Sequence, residues 1–333
     1  MSTIQPYILG HGRAGLAAAK SLAMLAVDEP ELALAPVRWL ERGAPLPDVR
    51  HDDAKAVLIV SNPHGLHAEA ILAAETQGFA AVVSEKPAAV TLDQVALLRK
   101  VRIPVGVFHV YRQTWGVNTL RQMIQGGELG SLITIEGRYW QASTAERALA
   151  GPPATAGNWK NHTKLSGPYD VWLDIGSHWI DAAVYLVGRN AIGIDAWRSF
   201  ANAEAPHRDS HVQAVVTFPG GPRAAVSISK TMHGATNHFE LVALGTKAAA
   251  TWTFLNPDEI LVGQGRERRV VTRKAATLGT HFPPFHGSGW LEGYIEILRQ
   301  VLTGLSTGTQ NYPTLVQSLD HLELMLRTNW QQS

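Results

Sequence analysis

The chain has 333 residues, more than one core usually carries, so two domains are expected. Hydrophobic residues make up 45% and charged residues 17%, which excludes a disordered chain, and 29 basic against 28 acidic residues give a net charge of +1, too little to attract nucleic acid or an anionic membrane. With no cysteine, a disulfide framework, a thiolate metal site and a cysteine nucleophile are excluded. The start, MSTIQPYILGHGRAG, lacks the basic run and small-residue cleavage site of a signal peptide, and no apolar run reaches about 18 residues. A soluble, cytoplasmic, two-domain protein is expected, most often an enzyme.

Up to about residue 110, strand-length apolar runs stand at Tyr7–Leu9, Val37–Leu40, Ala56–Val60, Ala80–Ser84 and Pro104–Phe108. Helix-patterned segments, Ala14–Ala26, His67–Gln77 and Leu92–Lys100, lie between several of them. Repeated strand–helix–strand units predict right-handed crossovers and a doubly wound parallel sheet. A helical stretch at Leu120–Ile124 ends near Gly126-Gly127, and Leu132–Trp140 is β-like. Residues 141–170, rich in Ala, Gly, Pro and Asn, read as an irregular loop. A helix over Leu173–Val187 closes at Gly188. Strand-like segments then recur at Val212–Phe218, Arg223–Ser229, Phe239–Ala243 and Ala249–Phe254, with short connections that predict an antiparallel or mixed sheet. Helices over Leu291–Leu302 and Thr314–Thr328 finish the chain. The boundary is set near 115, giving a nucleotide-binding domain over 1–115 and an α+β domain over 116–333. The sequence leaves open whether the last helix returns to the first domain.

Gly10-His11-Gly12-Arg13-Ala14-Gly15 is GxGxxG between an apolar run and a helical pattern. In that context the first glycine makes the turn, the second admits a pyrophosphate and the third lets helix and strand pack. The helix start offers unpaired N–H groups to phosphate. The second strand ends in Glu41-Arg42. A carboxylate there accepts both ribose hydroxyls and favours NAD, while an arginine holds a 2′-phosphate and favours NADP. The acid comes later than the usual ~20 residues, and the pairing leans to NAD, with NADP possible. Ser61-Asn62-Pro63 follows the third strand, with Asn62 suited to an N-cap and Pro63 to the first helical position. His67 reads as a site residue or as an ordinary histidine on a helix face. Glu85-Lys86-Pro87 follows the fourth strand, and Lys86 reads as a crevice residue or a surface lysine. Asp174 and His178, four apart, share a face of the predicted helix. They fit a tuned proton acceptor, a metal pair or a local structural pair.

Taken in order, these segments resemble the Gfo/Idh/MocA oxidoreductase family, the glucose–fructose oxidoreductase and inositol dehydrogenase group. GHGRAG stands where that family has its nucleotide fingerprint. The run from SNPHGLH through EKP and the next helix, VFHVYRQ, and LDIGSHWIDAAVYLVG stand where it has its Thr-Pro…His, Asn-Arg-Arg and Asp-x-Gly-x-His-x-x-Asp segments. The resemblance spans residues 8–188, and the later sheet fits in pattern only. It implies an N-terminal Rossmann sheet and a C-terminal α+β domain with a large, mostly antiparallel open sheet. It implies cofactor contacts from Gly10–Gly15, Glu41, Arg42, Ser61, Asn62, Pro63, His67, Glu85 and Lys86. It makes Lys86, Asp174 and His178 the catalytic residues. Lys86 polarises the reacting oxygen or relays its proton, His178 is the base for alcohol oxidation or the acid in reverse, and Asp174 orients and tunes His178 or meets the substrate hydroxyl. Arg112 and the loop around Trp159 shape the substrate end, and the chemistry needs no metal.

Three departures stand out: Asn62 where threonine is common, Val110-Tyr111 where Asn-Arg is common, and Ser166-Gly167-Pro168-Tyr169 where the family is glycine-rich. The expected activity is NAD(P)-dependent hydride transfer at a hydroxyl-bearing carbon of a sugar, cyclitol or polyol. Tyr139, Trp140 and Trp159 are candidate pocket aromatics. The resemblance also implies a homo-oligomer, dimer or tetramer, through the C-terminal sheet. Two other readings remain: a nucleotide-sensing regulator without turnover, and a metal-dependent enzyme using Asp174, His178 and a further histidine such as His281 or His286.

Overall fold

The computed structural model describes residues 3–151, 159–202, 205–274, 284–285 and 289–331. The chain divides into two compact units, 1–110 with 290–319, and 111–289 with 320–333.

The first unit is built on a five-stranded parallel sheet: β1 (Ile4–Leu9), β2 (Arg38–Leu40), β3 (Lys55–Val60), β4 (Ala81–Ser84) and β5 (Val105–Val107), in the order β2-β1-β3-β4-β5. The doubly wound parallel sheet expected from the alternating pattern is present. β3 and β4 are buried almost throughout, as sheet strands covered on both faces must be. The helix His67–Thr76 packs on β3 and β4, and the helix Trp290–Thr307 on the helix Arg13–Asp28 and on β4 and β5. Strand order reverses between β1 and β3, the place where open α/β sheets bind ligands. The register aligns Leu9 with Leu40 and Val60, and Val60 with Ser84, so the residues after β1, β2, β3 and β4 emerge along one sheet edge.

The second unit holds a nine-stranded sheet. Its strands are β6 (Leu132–Trp140), β7 (Gly193–Ser199), β8 (His211–Thr217), β9 (Arg223–Ser229), β10 (His238–Gly245), β11 (Ala249–Thr253), β12 (Glu259–Gln264), β13 (Glu267–Thr272) and β14 (Asn329–Trp330). The order is β13-β12-β11-β10-β6-β9-β8-β7-β14, antiparallel except for β6–β9 and β7–β14. The large, mostly antiparallel sheet is as expected. Inward residues alternate with half-exposed ones along β8, β9 and β10, as a sheet with one covered face requires. The helix Ser177–Val187 lies on the covered face, where the Trp179 indole donates to the Glu240 carbonyl at 2.9 Å.

Three local expectations are corrected. The 141–170 segment holds the helix Ser143–Ala150 and the short turns Trp159–Asn161 and Thr163–Ser166. Its alanines and polar residues carry a helix once one face is packed. Asn62 and Pro63 do not start the helix His67–Thr76. Pro63 precedes a 3-10 turn, His64–Leu66, because extended Pro63 (ψ 143°) cannot begin an α-turn. The predicted helix over Leu173–Val187 begins as a π-turn, Trp172–Gly176, and becomes regular only at Ser177.

Candidate functional site

In the first unit, a cradle forms where β1 meets the helix Arg13–Asp28. Gly10 has φ +116°, and a Cβ there would lie 2.5 Å from the Ser61 carbonyl carbon. A Cβ on Gly15 would lie 2.0 Å from the Gly10 carbonyl oxygen. These two positions close the turn, while Gly12 faces open space. Gly12 caps the helix without a side-chain hydrogen bond, and its first turn carries no acid. N–H groups and the positive end of the helix dipole are thus presented to an anion. Asn62 Oδ1 is buried without a hydrogen-bond partner. The helix-start N–H groups fit a dinucleotide's pyrophosphate, and Asn62 Oδ1 is an acceptor open to a hydroxyl. Glu41 and Arg42 follow β2, exposed beside the turn. The His11 ring stacks on the Trp39 indole, centroids 5.0 Å apart, a contact the sequence reading missed.

Ser61 hydrogen-bonds the carbonyls of Leu9 and Gly10, both at 3.1 Å, joining β3 to the glycine turn. His67 is fully buried, its Nδ1 2.8 Å from the Pro87 carbonyl and its Nε2 2.8 Å from the Asn62 carbonyl. It lies against the Asn62 loop and the Glu85–Lys86–Pro87 turn. Burial, against the two carbonyl bonds, lowers its pKa to about 4, so it is neutral near pH 7. Lys86 is buried, and its peptide to Pro87 is cis. The Glu85 carboxylate accepts the Tyr294 hydroxyl and, at 3.3 Å, the Lys86 backbone N–H. Tyr294, packed on Phe108 at 4.4 Å between ring centroids, was also missed. It lies more than two hundred residues from Glu85, and no local pattern marks it.

In the second unit, Asp174 sits in the π-turn and His178 in the first turn of the helix that follows. The wider turn alters the regular i, i+4 relation predicted for them, and such turns recur at functional sites. Asp174 Oδ2 accepts from Lys160 Nζ at 2.6 Å and lies 2.7 Å from Lys230 Nζ. A carboxylate set between two ammonium groups is a poor ligand for a metal cation. His281 and His286 lie outside the described residues.

The His178 ring stands edge-on to Tyr111, centroids 5.1 Å apart, with Tyr139 at 6.3 Å. The Tyr111 and Tyr139 hydroxyls are 2.8 Å apart, and Asn237 bonds both. Burial pushes Tyr111 up to about 12, and burial, the Tyr111 hydroxyl and the charge of Asp174 hold Tyr139 well above its ordinary range. Both stay protonated at neutral pH, so neither is a base there. Tyr111, standing where the family pattern has arginine, thus supplies a hydroxyl network beside the imidazole. Tyr139 and Trp140 point to opposite faces of β6, because side chains alternate along a strand. Trp140 lies with Arg138 and Ser227, away from His178, which corrects its reading as a pocket aromatic. Trp159 is half-buried beside Lys160, whose Nζ is 5.7 Å from its ring. Arg112 is buried, its guanidinium in a two-pronged ion pair with Asp181 on the His178 helix.

Residues 117–251 match the family model of the GFO/IDH/MocA C-terminal domain. The chain is 30% identical over 138 residues to a glucose-6-phosphate 3-dehydrogenase of Bacillus subtilis (strain 168). That match covers 40% of this chain and 37% of the relative, little more than a third of its length. The inositol dehydrogenase homolog of Azotobacter vinelandii, solved with NAD+, superposes with a TM-score of 0.81 over 98% of this chain and 95% of that one, at 18% identity. A levoglucosan dehydrogenase solved with NADH and levoglucosan gives the same score and coverage at 22% identity. Sequence and fold together bear out the resemblance to the Gfo/Idh/MocA oxidoreductases. Among the described residues, no helix is long and apolar enough to cross a membrane.

Proposed function

We propose that the protein is an NAD-dependent dehydrogenase that oxidises a secondary alcohol of a sugar or cyclitol, or reduces the corresponding ketone. One observation carries this: the close-packed glycine turn, open at Gly12, stands at the β1/β3 reversal with Lys86 on the same sheet edge. The dehydrogenase relatives, two of them solved with NAD+ or NADH, support the choice of cofactor. Gly10–Gly15, Ser61, Asn62 and Pro63 would hold the pyrophosphate side, Glu41 and Arg42 the ribose, and Glu85 and Lys86 the nicotinamide side. His67 lies against two of these loops. When bound, the cofactor supplies the hydride acceptor for the alcohol carbon.

In this reading Lys86 donates a charge-assisted hydrogen bond to the reacting oxygen. His178 takes the hydroxyl proton on oxidation and returns it on reduction. Asp174 accepts a hydrogen bond from a substrate hydroxyl, and Trp159 offers a ring face to sugar C–H groups. Arg112 shapes this end indirectly, by clamping Asp181 and so the helix that carries His178. We assign cofactor binding to the first unit and substrate binding to the second. A cytoplasmic homo-oligomer completes the reading. The half-open face of the nine-stranded sheet, with Arg138, Trp197 and Glu240 along a shallow groove, supports pairing there.

The test is a panel of sugars, sugar phosphates and cyclitols, each with NAD and with NADP, followed by the near-ultraviolet absorbance of reduced nicotinamide. Turnover with NAD on at least one member is expected. Cofactor binding without turnover across the panel would favour a nucleotide sensor.

A further inference from the structure

The π-turn that carries Asp174 lies in a buried charge cluster. Lys230, directly after β9, is 3% exposed, its Nζ 2.6 Å from Asp170 Oδ1 and 2.7 Å from Asp174 Oδ2. Both carboxylates are buried. Lys160 meets the same oxygen of Asp174 from a side chain that is 33% exposed. From these contacts we infer that Lys230 is a positioning residue for Asp174: it fixes that carboxylate as an anion, so Asp174 orients a substrate hydroxyl while the proton passes to His178. The functional half of this inference rests on the reading of Asp174 and His178 given above.

Two carboxylates sharing a low-dielectric site cannot both ionise cheaply without a cation between them. Lys230 is that cation for both. Burial lowers its pKa, but the charges of Asp174 and Asp170 and the hydrogen bonds to them outweigh burial and raise it, holding the ammonium charged. Lys160 cannot replace it, because water screens a partly exposed ammonium.

Other groups face the cluster. Arg208 donates to the Gly167 and Tyr169 carbonyls at 2.7 and 2.8 Å, and its charge also reaches Asp170, Asp209 and Asp174 from a distance greater than that of Lys230 Nζ, which touches both Asp170 and Asp174. Asp209, raised by burial, accepts the Asp170 and Trp172 N–H groups, both at 2.7 Å. Tyr139 feels the charge of Asp174 but remains a neutral phenol. His211 pairs with Ser229 across β8 and β9, and burial lowers its pKa. Asp170 and Asp174 are thus the carboxylates that Lys230 contacts directly, while Asp209 feels its charge from farther off.

The direct test is a carboxyl carbon NMR titration of the full chain without substrate, with Asp174→Asn identifying the Asp174 signal. Lys230→Gln should move the Asp174 midpoint up by about one pH unit or more, and Lys230→Arg should return it close to the parent. Lys160→Gln should move it less. An unmoved midpoint in Lys230→Gln overturns the inference. Should that variant fail to fold, Lys230→Met with Asp170→Asn is compared with Asp170→Asn alone: the Asp174 midpoint should be higher in the double variant, and equal midpoints overturn the inference. Turnover by Asp174→Asn separates the two claims. Parental turnover would sink the catalytic reading of Asp174, whereas lost turnover with an unmoved midpoint would sink only the role of Lys230.

Discussion

His67 and Pro87 are joined by a 2.8 Å hydrogen bond between imidazole Nδ1 and a backbone carbonyl, while the other ring nitrogen lies 2.8 Å from the Asn62 carbonyl. A neutral imidazole has one N–H, so it donates to one carbonyl at a time. One buried ring thus lies against the two loops proposed to flank the cofactor, hydrogen-bonded to one of them at a time.

This burial has a pH signature. The folded pKa of His67 is about 4, against 6.5 for an ordinary histidine. Between those values the unfolded chain binds the extra proton, so stability is full above pH 6.5 and falls as pH drops towards 4. The loss reaches about 3 kcal/mol. Thermal unfolding across this range should show that decline in the parent and a shallower one in His67→Gln. Equal slopes would count against a buried neutral imidazole.

Tyr294→Phe should cost about 1–3 kcal/mol, because the buried Glu85 carboxylate loses a donor. Urea denaturation reads the loss. If Glu85 positions the Lys86 turn, kcat should fall as well, with KM for the sugar little changed.

Removing Arg112 takes the two-pronged guanidinium from the buried Asp181 carboxylate. Arg112→Met should therefore destabilise by about 3–5 kcal/mol, and adding Asp181→Leu should recover much of that. Denaturant midpoints of the single and double variants decide it; a large rise in KM without loss of stability would instead make Arg112 a direct substrate contact.

Glu41→Ala should weaken NAD binding about tenfold or more while leaving NADP nearly unchanged, since only the unphosphorylated ribose offers both hydroxyls. Fluorescence titration with each dinucleotide measures this, and equal losses would contradict the ribose role.

How much of this was legible in sequence follows from what each feature requires. The glycine turn was readable because its backbone geometry forces residue type at fixed positions, as the clashes at Gly10 and Gly15 show. Of the nine-stranded sheet, β6 and β8 to β11 were readable through alternation and short connections, whereas β7, β12, β13 and β14 were not picked out, β13 carrying the exposed Arg268 and Arg269. The π-turn at Asp174 was hidden, because one wider turn changes no residue type. Tyr294 and Lys230 were hidden for another reason. Each acts on a residue distant in the chain, and only folding brings a tyrosine to Glu85 or a lysine to Asp174.

The central claim is that Lys86 and His178 serve one chemical step, and a double-mutant cycle on turnover tests it most directly. Lys86→Ala and His178→Asn should each lower kcat by about 10²–10⁴-fold, while NAD affinity stays near parental. The double variant should be scarcely slower than the worse single one, because groups that act as a unit fail together. Losses that multiply, or unchanged kcat in either single variant, would contradict the account.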